Sequence, residues 1–94
     1  MPRTGLLEEL AKKYGIEIRE VKSKLMKNAV EAAKRLYKEL YGADVHEVKG
    51  DFNRWVKCVG ACVRAMWRIV HEKKEIPTVE EILERARELV ATPA

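Results

Sequence analysis

The sequence predicts an all-α domain of four helices, two of them long, and three observations carry that prediction. Apolar residues recur at the three-to-four-residue spacing of a helix face through most of the chain. No segment alternates with the period of two that a half-buried strand requires. Helix-stopping residues fall at wide intervals, at Gly15, Gly42 and Ile76-Pro77. The 94 residues make one domain, 1–94, with a single modest core and little room for an elaborate enzyme cleft.

Each helix has its own start and stop. Thr4 is placed to cap a first helix over about residues 5–14, with Leu6, Leu7, Leu10 and Ala11 on one face and Gly15 ending it. After Ile16 and Glu17, the positions Ile18, Val21, Leu25, Ala29, Ala32, Leu36 and Leu40 keep helical spacing over about 18–41, until Gly42. The polar stretch 43–50 contains His46, and Asp51 can cap a third helix over about 52–73. Ile76-Pro77 breaks that helix, and Thr78 with Glu81 forms a capping box for a last one over about 79–91, with Val79, Ile82, Leu83, Ala86, Leu89 and Val90 on its apolar face. The two long helices are expected to pack antiparallel.

Composition narrows the function. Charged residues are 36% of the chain, Gln is absent, and there are one Ser, three Thr and two Asn. That balance resembles the proteins of hyperthermophiles and predicts a thermophilic archaeal source or a virus or plasmid of one. No apolar run reaches the roughly twenty residues of a membrane span, and the Met-Pro-Arg-Thr start lacks an apolar signal region. The expected location is therefore cytoplasmic, or the virion if the source is viral, with no membrane partner. The net charge of +4 is unevenly spread: residues 11–38 carry nine Lys or Arg against three Glu, and residues 72–94 carry four against six. An anionic partner is expected for the first part and internal or subunit packing for the second.

The sharpest signal lies in the third helix. Residues 52–71 contain Arg54, Lys57, Arg64 and Arg68 and no Asp or Glu. At about 100° per residue these four cations fall in a stripe about 80° wide, with Ala61 among them and Phe52, Val59, Cys62, Val63, Met66 and Val70 turned away. Such a face attracts a polyanion, or else is a solvated outer face or one that pairs with the acidic C-terminal segment. The apolar arc of the same helix covers about half its circumference. One edge of that arc, Cys58, Ala61, Cys62 and Ala65, is built from small side chains, and the other carries Val56 and Trp67. A close-packed homodimer through Cys58, Ala61, Cys62, Ala65 and Trp67 is expected, as against complete cover by the second helix.

Around the first connector, residues 10–25 read Leu-Ala-Lys-Lys-Tyr-Gly-Ile-Glu-Ile-Arg-Glu-Val-Lys-Ser-Lys-Leu. The pattern resembles the helix-turn-helix of DNA-binding proteins: Ala11 as the small contact, Gly15 as the turn, Ile16 and Ile18 filling the angle, Val21 and Leu25 anchoring the second helix. The resemblance covers about 20 residues and implies that Arg19, Lys22, Ser23, Lys24 and Lys27 face a duplex. These side chains are mostly lysines, which contact phosphate rather than read bases, so binding with little sequence preference is implied.

The remaining chemistry-bearing residues support no enzyme. Cys58 and Cys62 lie one turn apart, but His46 and His71 are not at metal-site spacing, so neither a metal nor another cofactor is expected. Buried filling is the expected role of the cysteines, with an intersubunit disulfide as the alternative. No nucleophile, paired carboxylate or phosphate loop accompanies either histidine. Trp55 is expected in the core; Trp67, beside Arg64 and Arg68, serves either packing or the stacking of an exposed base. Tyr37 and Tyr41 share one side of the second helix and mark its contact with a neighbour. The sequence thus predicts a small nucleic-acid-binding protein that contacts mainly phosphate, on duplex DNA more than RNA. The alternative is an all-α structural or interaction subunit of a larger ribonucleoprotein or virion assembly.

Overall fold

A computed structural model describes residues 2–42 and 52–91, and it places them in α1 (Pro2–Tyr14), α2 (Ile18–Tyr41), α3 (Phe52–Lys73) and α4 (Val79–Ala91). The described residues contain no strand. The expected roles of His46 and Asp51, and the end at Thr92-Pro93-Ala94, lie outside them.

Local chemistry explains most of the boundaries. Gly15 adopts φ +66°, and the Ile16 N–H donates to the Ala11 carbonyl at 3.0 Å, so α1 ends in a left-handed glycine turn with a six-to-one closing bond. Gly42, at φ +73°, closes α2 by donating its N–H to Lys38 O at 2.8 Å. Before α4 the capping box is formed in both directions: Thr78 N–H donates to Glu81 Oε1 at 3.1 Å, and Glu81 N–H to Thr78 Oγ1 at 3.2 Å. One start differs from expectation. Helix α1 begins at Pro2, so Thr4 lies within it rather than capping it from outside; proline suits a first turn because its missing N–H would have no helical partner there.

Helix directions follow from the side-chain contacts. The Tyr37 ring sits 6.5 Å from Trp55, and the Arg54 guanidinium lies 4.7 Å over the Tyr41 ring, so the end of α2 meets the start of α3 and the two run antiparallel. Tyr37 and Tyr41, 4.8 Å apart, mark the contact side of α2 as expected. Helix α4 follows α2 in the same sense, with Arg35 on Glu80 at 3.3 Å and Glu39 bonded by Arg87. It returns along α3, where Lys73 meets Glu81 at 2.8 Å and Arg85 grips Glu72.

The core lies between these elements. Leu6, Leu7 and Leu10 of α1 close onto Val21, Leu25, Ala29, Ala32 and Leu36 of α2, continued by Met66, Ile69 and Val70 of α3 and by Ile82, Leu83 and Ala86 of α4. Leu40, in register with the α2 stripe, is exposed one residue from the end of its helix. The linker between α3 and α4 is held from below. Lys13 Nζ donates to Lys74 O at 3.1 Å, the Tyr14 hydroxyl accepts from Ile76 N–H at 3.0 Å, and Asn28 Nδ2 donates to Pro77 O at 2.9 Å.

Lys74 ends α3 at φ +55°, with its N–H on Val70 O at 2.9 Å. A side chain in the left-handed region is strained against its own backbone, whereas glycine is not. Lys74→Gly is therefore expected to raise stability by about 0.5–1 kcal/mol after its unfolded-state entropy cost, seen as a melting temperature a few degrees higher. An unchanged or lower melting temperature would show that the turn carries no such strain.

Candidate nucleic-acid interface

Helix α3 has three faces, and they differ in what covers them. The side bearing Cys58, Cys62, Ala65, Met66 and Ile69 is buried against α2 and α4. Cys58, Cys62 and Ala65 are fully buried within the single chain, which overturns their expected place in a dimer interface. Two helices rather than one pack on this side, and small residues are what let both approach. Ala61 and Trp67 remain half-buried at its margins. Trp55, expected in the core, is also half-buried, with its ring steeply inclined to that of Tyr37.

The thiols behave as core atoms. Burial pushes the Cys62 thiol up to about 12, aided by the neighbouring Cys58, and raises Cys58 in the same direction. An intersubunit disulfide has no exposed sulfur to use. The unfolded chain loses the Cys62 proton near 9 while the folded chain keeps it. This contribution to stability is thus complete below about 9 and is lost as pH rises toward 12, at up to about 1.4 kcal/mol per pH unit. Chemical unfolding at pH 8 and pH 10.5 should therefore show a steeper alkaline loss for the parent than for Cys62→Ala; equal losses would refute the assignment.

The cationic face lies opposite. Arg54, Lys57, Arg64 and Arg68 are all exposed, within about 80° of helix circumference. Glu80 and Glu81 of the acidic C-terminal helix take Arg35 and Lys73 rather than Lys57, Arg64 or Arg68. Glu72, which feels the charge of Arg68 one turn away, has both carboxylate oxygens bonded to Arg85, at 3.2 and 2.9 Å. Hydrogen bonds from Arg85, Lys73 and Arg87 hold the carboxyls of Glu72, Glu81 and Glu39 below the usual range, so these acids are ionised and engaged at neutral pH. Arg19, Arg35, Arg85 and Arg87 each hold a glutamate, whereas no ion pair reaches Lys57, Arg64 or Arg68 among the described residues. Arg54 stacks on Tyr41.

The second basic group, on α2, is less concentrated. Arg19, Lys22, Ser23, Lys24 and Lys27 are exposed but spread over about 200° of the helix, and Arg19 bonds Glu17 at 3.1 Å. The packing positions of the hairpin are filled as the resemblance implies: Val21 and Leu25 are buried, and Ala11, Ile16 and Ile18 are half-buried against the core.

Between the core side and the cationic face runs a third stripe that the sequence pattern left unassigned. Phe52, expected to turn inward, is 70% exposed because it begins α3 at the edge of the packed region, and Val56 is 48% exposed. Val59, Gly60, Val63 and Trp67 continue this line along the helix within about 100°. At its far end Gly60, Val63, Arg64, Trp67, Arg68 and His71 line an open depression of about 410 Å³. The available signal was the recurrence of apolar residues at 52, 56, 63 and 67 along one line of the helix, with Val56 and Trp67 nearer the cations and Phe52 and Val63 facing away from them.

The described residues thus define an all-α, four-helix fold with one concentrated cationic face. Comparison with protein-family models, with curated protein sequences and with solved structures finds no match to this chain. No described helix is long and apolar enough to cross a membrane.

Proposed function

We propose that this protein binds nucleic acid, contacting chiefly its phosphates through Arg54, Lys57, Arg64 and Arg68 of α3. The observation that carries the reading is the disposition of the acids: Glu80, Glu81 and Glu72 engage Arg35, Lys73 and Arg85, while Lys57, Arg64 and Arg68 face solvent with no ion pair among the described residues. A like-charged stripe on a rigid helix attracts a polyanion and has little means of reading sequence. The charged composition and the ion pairs joining α4 to α2 and α3 support a thermophilic archaeal or archaeal-virus source, since such pairs gain value with temperature.

The test is a salt titration with random-sequence nucleic acid. The expected result is a linear fall of log affinity against log salt, with a slope of about −0.9 per duplex phosphate contacted or −0.7 per single-strand phosphate. A flat dependence, or no binding near 50 mM salt, rejects the proposal. A second reading, an interaction subunit of a larger assembly, draws on exposed Phe52 and Val56. It predicts a protein partner whose binding is lost with those side chains and is indifferent to salt.

A further inference from the structure

We propose that the depression on α3 seats a nucleotide bearing a terminal phosphate, with the phosphate on Arg64, Arg68 and His71 and the base against Val63 and Trp67. Such a nucleotide is either the phosphorylated end of a strand or a free mononucleotide; the choice of ligand deepens the nucleic-acid reading above and rests on it. The polar side chains that line the depression, Arg64, Arg68 and His71, all offer N–H donors, and none of its lining residues is acidic. Its occupant must therefore bring acceptors and negative charge. The cleft between α3 and α4 differs, because Lys73 and Arg85 are balanced there by Glu81, Glu84 and Glu88.

The shape of the depression fits the two parts of a nucleotide. Viewed down the helix, Val63 and Trp67 form one side and Arg64 and Arg68 the other, with Gly60 and His71 in the roughly 60° between Trp67 and Arg64. At the outer radius of a helix, about 6 Å, that angle parts the two sides by about 6 Å, the order of separation that one sugar puts between a base and its phosphate. The volume of about 410 Å³ lies in the range of small-molecule sites. Gly60 keeps the depression open: a Cβ placed there meets no atom within 4 Å. Glycine is a poor helix former, and this one gains no internal packing in return.

Charge density selects a chain end over a passing backbone. An internal phosphodiester carries one negative charge, whereas a terminal phosphate carries about 1.5 to 2 at neutral pH and has three acceptor oxygens to satisfy. Arg64, Arg68 and His71 gather their donors within about 10 Å of helix rise, and no ion pair among the described residues reaches either arginine. Lys57 lies about 10 Å further along the same face, placed for a diester of the chain that follows.

The experiment titrates the full chain at equal salt with oligothymidylates carrying a 5′-phosphate, a 3′-phosphate or neither, the last one nucleotide longer to match charge. Thymidine monophosphate and inorganic phosphate are titrated alongside. The expected result is that one phosphorylated strand binds about 10-fold tighter than the charge-matched hydroxyl strand. Gly60→Leu and His71→Ala, both at exposed positions, should each bring that ratio to within about twofold, whereas Lys57→Ala should weaken all strands and keep the ratio. Equal binding of phosphorylated and hydroxyl strands, or a ratio that survives both Gly60→Leu and His71→Ala, overturns the inference while the nucleic-acid reading stands. Thymidine monophosphate bound as tightly as the phosphorylated strand, and lost in the same two variants, upholds the site and assigns it to free nucleotides. Inorganic phosphate bound as tightly as thymidine monophosphate leaves the base no part and overturns the inference. Failure of every probe to bind at low salt overturns both.

Discussion

Replacing Lys57, Arg64 and Arg68 together by alanine is expected to weaken nucleic-acid binding about 100-fold near 50 mM salt and to flatten the log–log salt slope by about two to three units. Three phosphate contacts disappear, and with them the counterions whose release drives association. Folding should hardly change, because these side chains are exposed and no ion pair among the described residues depends on them. Alanine is also the better helix former at each position. The matching control is Lys22, Lys24 and Lys27 to alanine on α2, where the exposed lysines are dispersed around the helix. A larger loss from the α2 variant than from the α3 variant would move the binding face to the helix-turn-helix-like hairpin.

Leu36→Ala should produce the largest loss of stability. Leu36 is buried on α2 within the cluster shared by α3 and α4, and removing its branched side chain there costs about 2–5 kcal/mol, transfer and cavity terms together. A domain of this size has only about 5–15 kcal/mol in total, so a fall in melting temperature on the order of 10–30 °C is expected. A loss below about 1 kcal/mol would mean that neighbouring helices collapse into the space, and that the packing around Leu36 is looser than its burial implies. The two experiments are complementary, since one removes function from a face that folding does not need and the other removes stability without touching that face.

The success and failure of the sequence pattern divide along the same line. Periodicity specifies a helix and its apolar side, and local residues specify its ends; Gly15, Gly42 and the Thr78–Glu81 box are accordingly where expected. The antiparallel pairing of α2 and α3 and the contact side of Tyr37 and Tyr41 also followed from local pattern. Which part of a broad apolar arc is covered depends on where other helices lie, and this no single helix encodes. The small-residue edge of α3 consequently reads equally well as a subunit contact or as the internal contact with α2 and α4 that it is. Phe52 fails for the same reason: its angular position is apolar, but it stands at the helix start, where an apolar direction has no neighbour to meet. The cationic stripe was legible because charge absence is a sequence property. Its freedom from the α4 glutamates was not, because those acids had several bases within reach.

Gly60 sets two kinds of selection against each other. Gly60→Ala removes the most flexible residue from the middle of α3 and adds a methyl that clashes with nothing, so a screen for heat resistance alone should recover it, with a gain of about 0.5–1 kcal/mol. Gly60→Leu should also fold, and it would fill the depression beside Trp67. A selection that demands nucleic-acid binding beside Arg64 and Arg68 should discard the leucine variant and keep glycine. Directed evolution under the two pressures would then diverge at this one position, and the ranking of Gly, Ala and Leu there would measure how much helix stability is given up for an open groove.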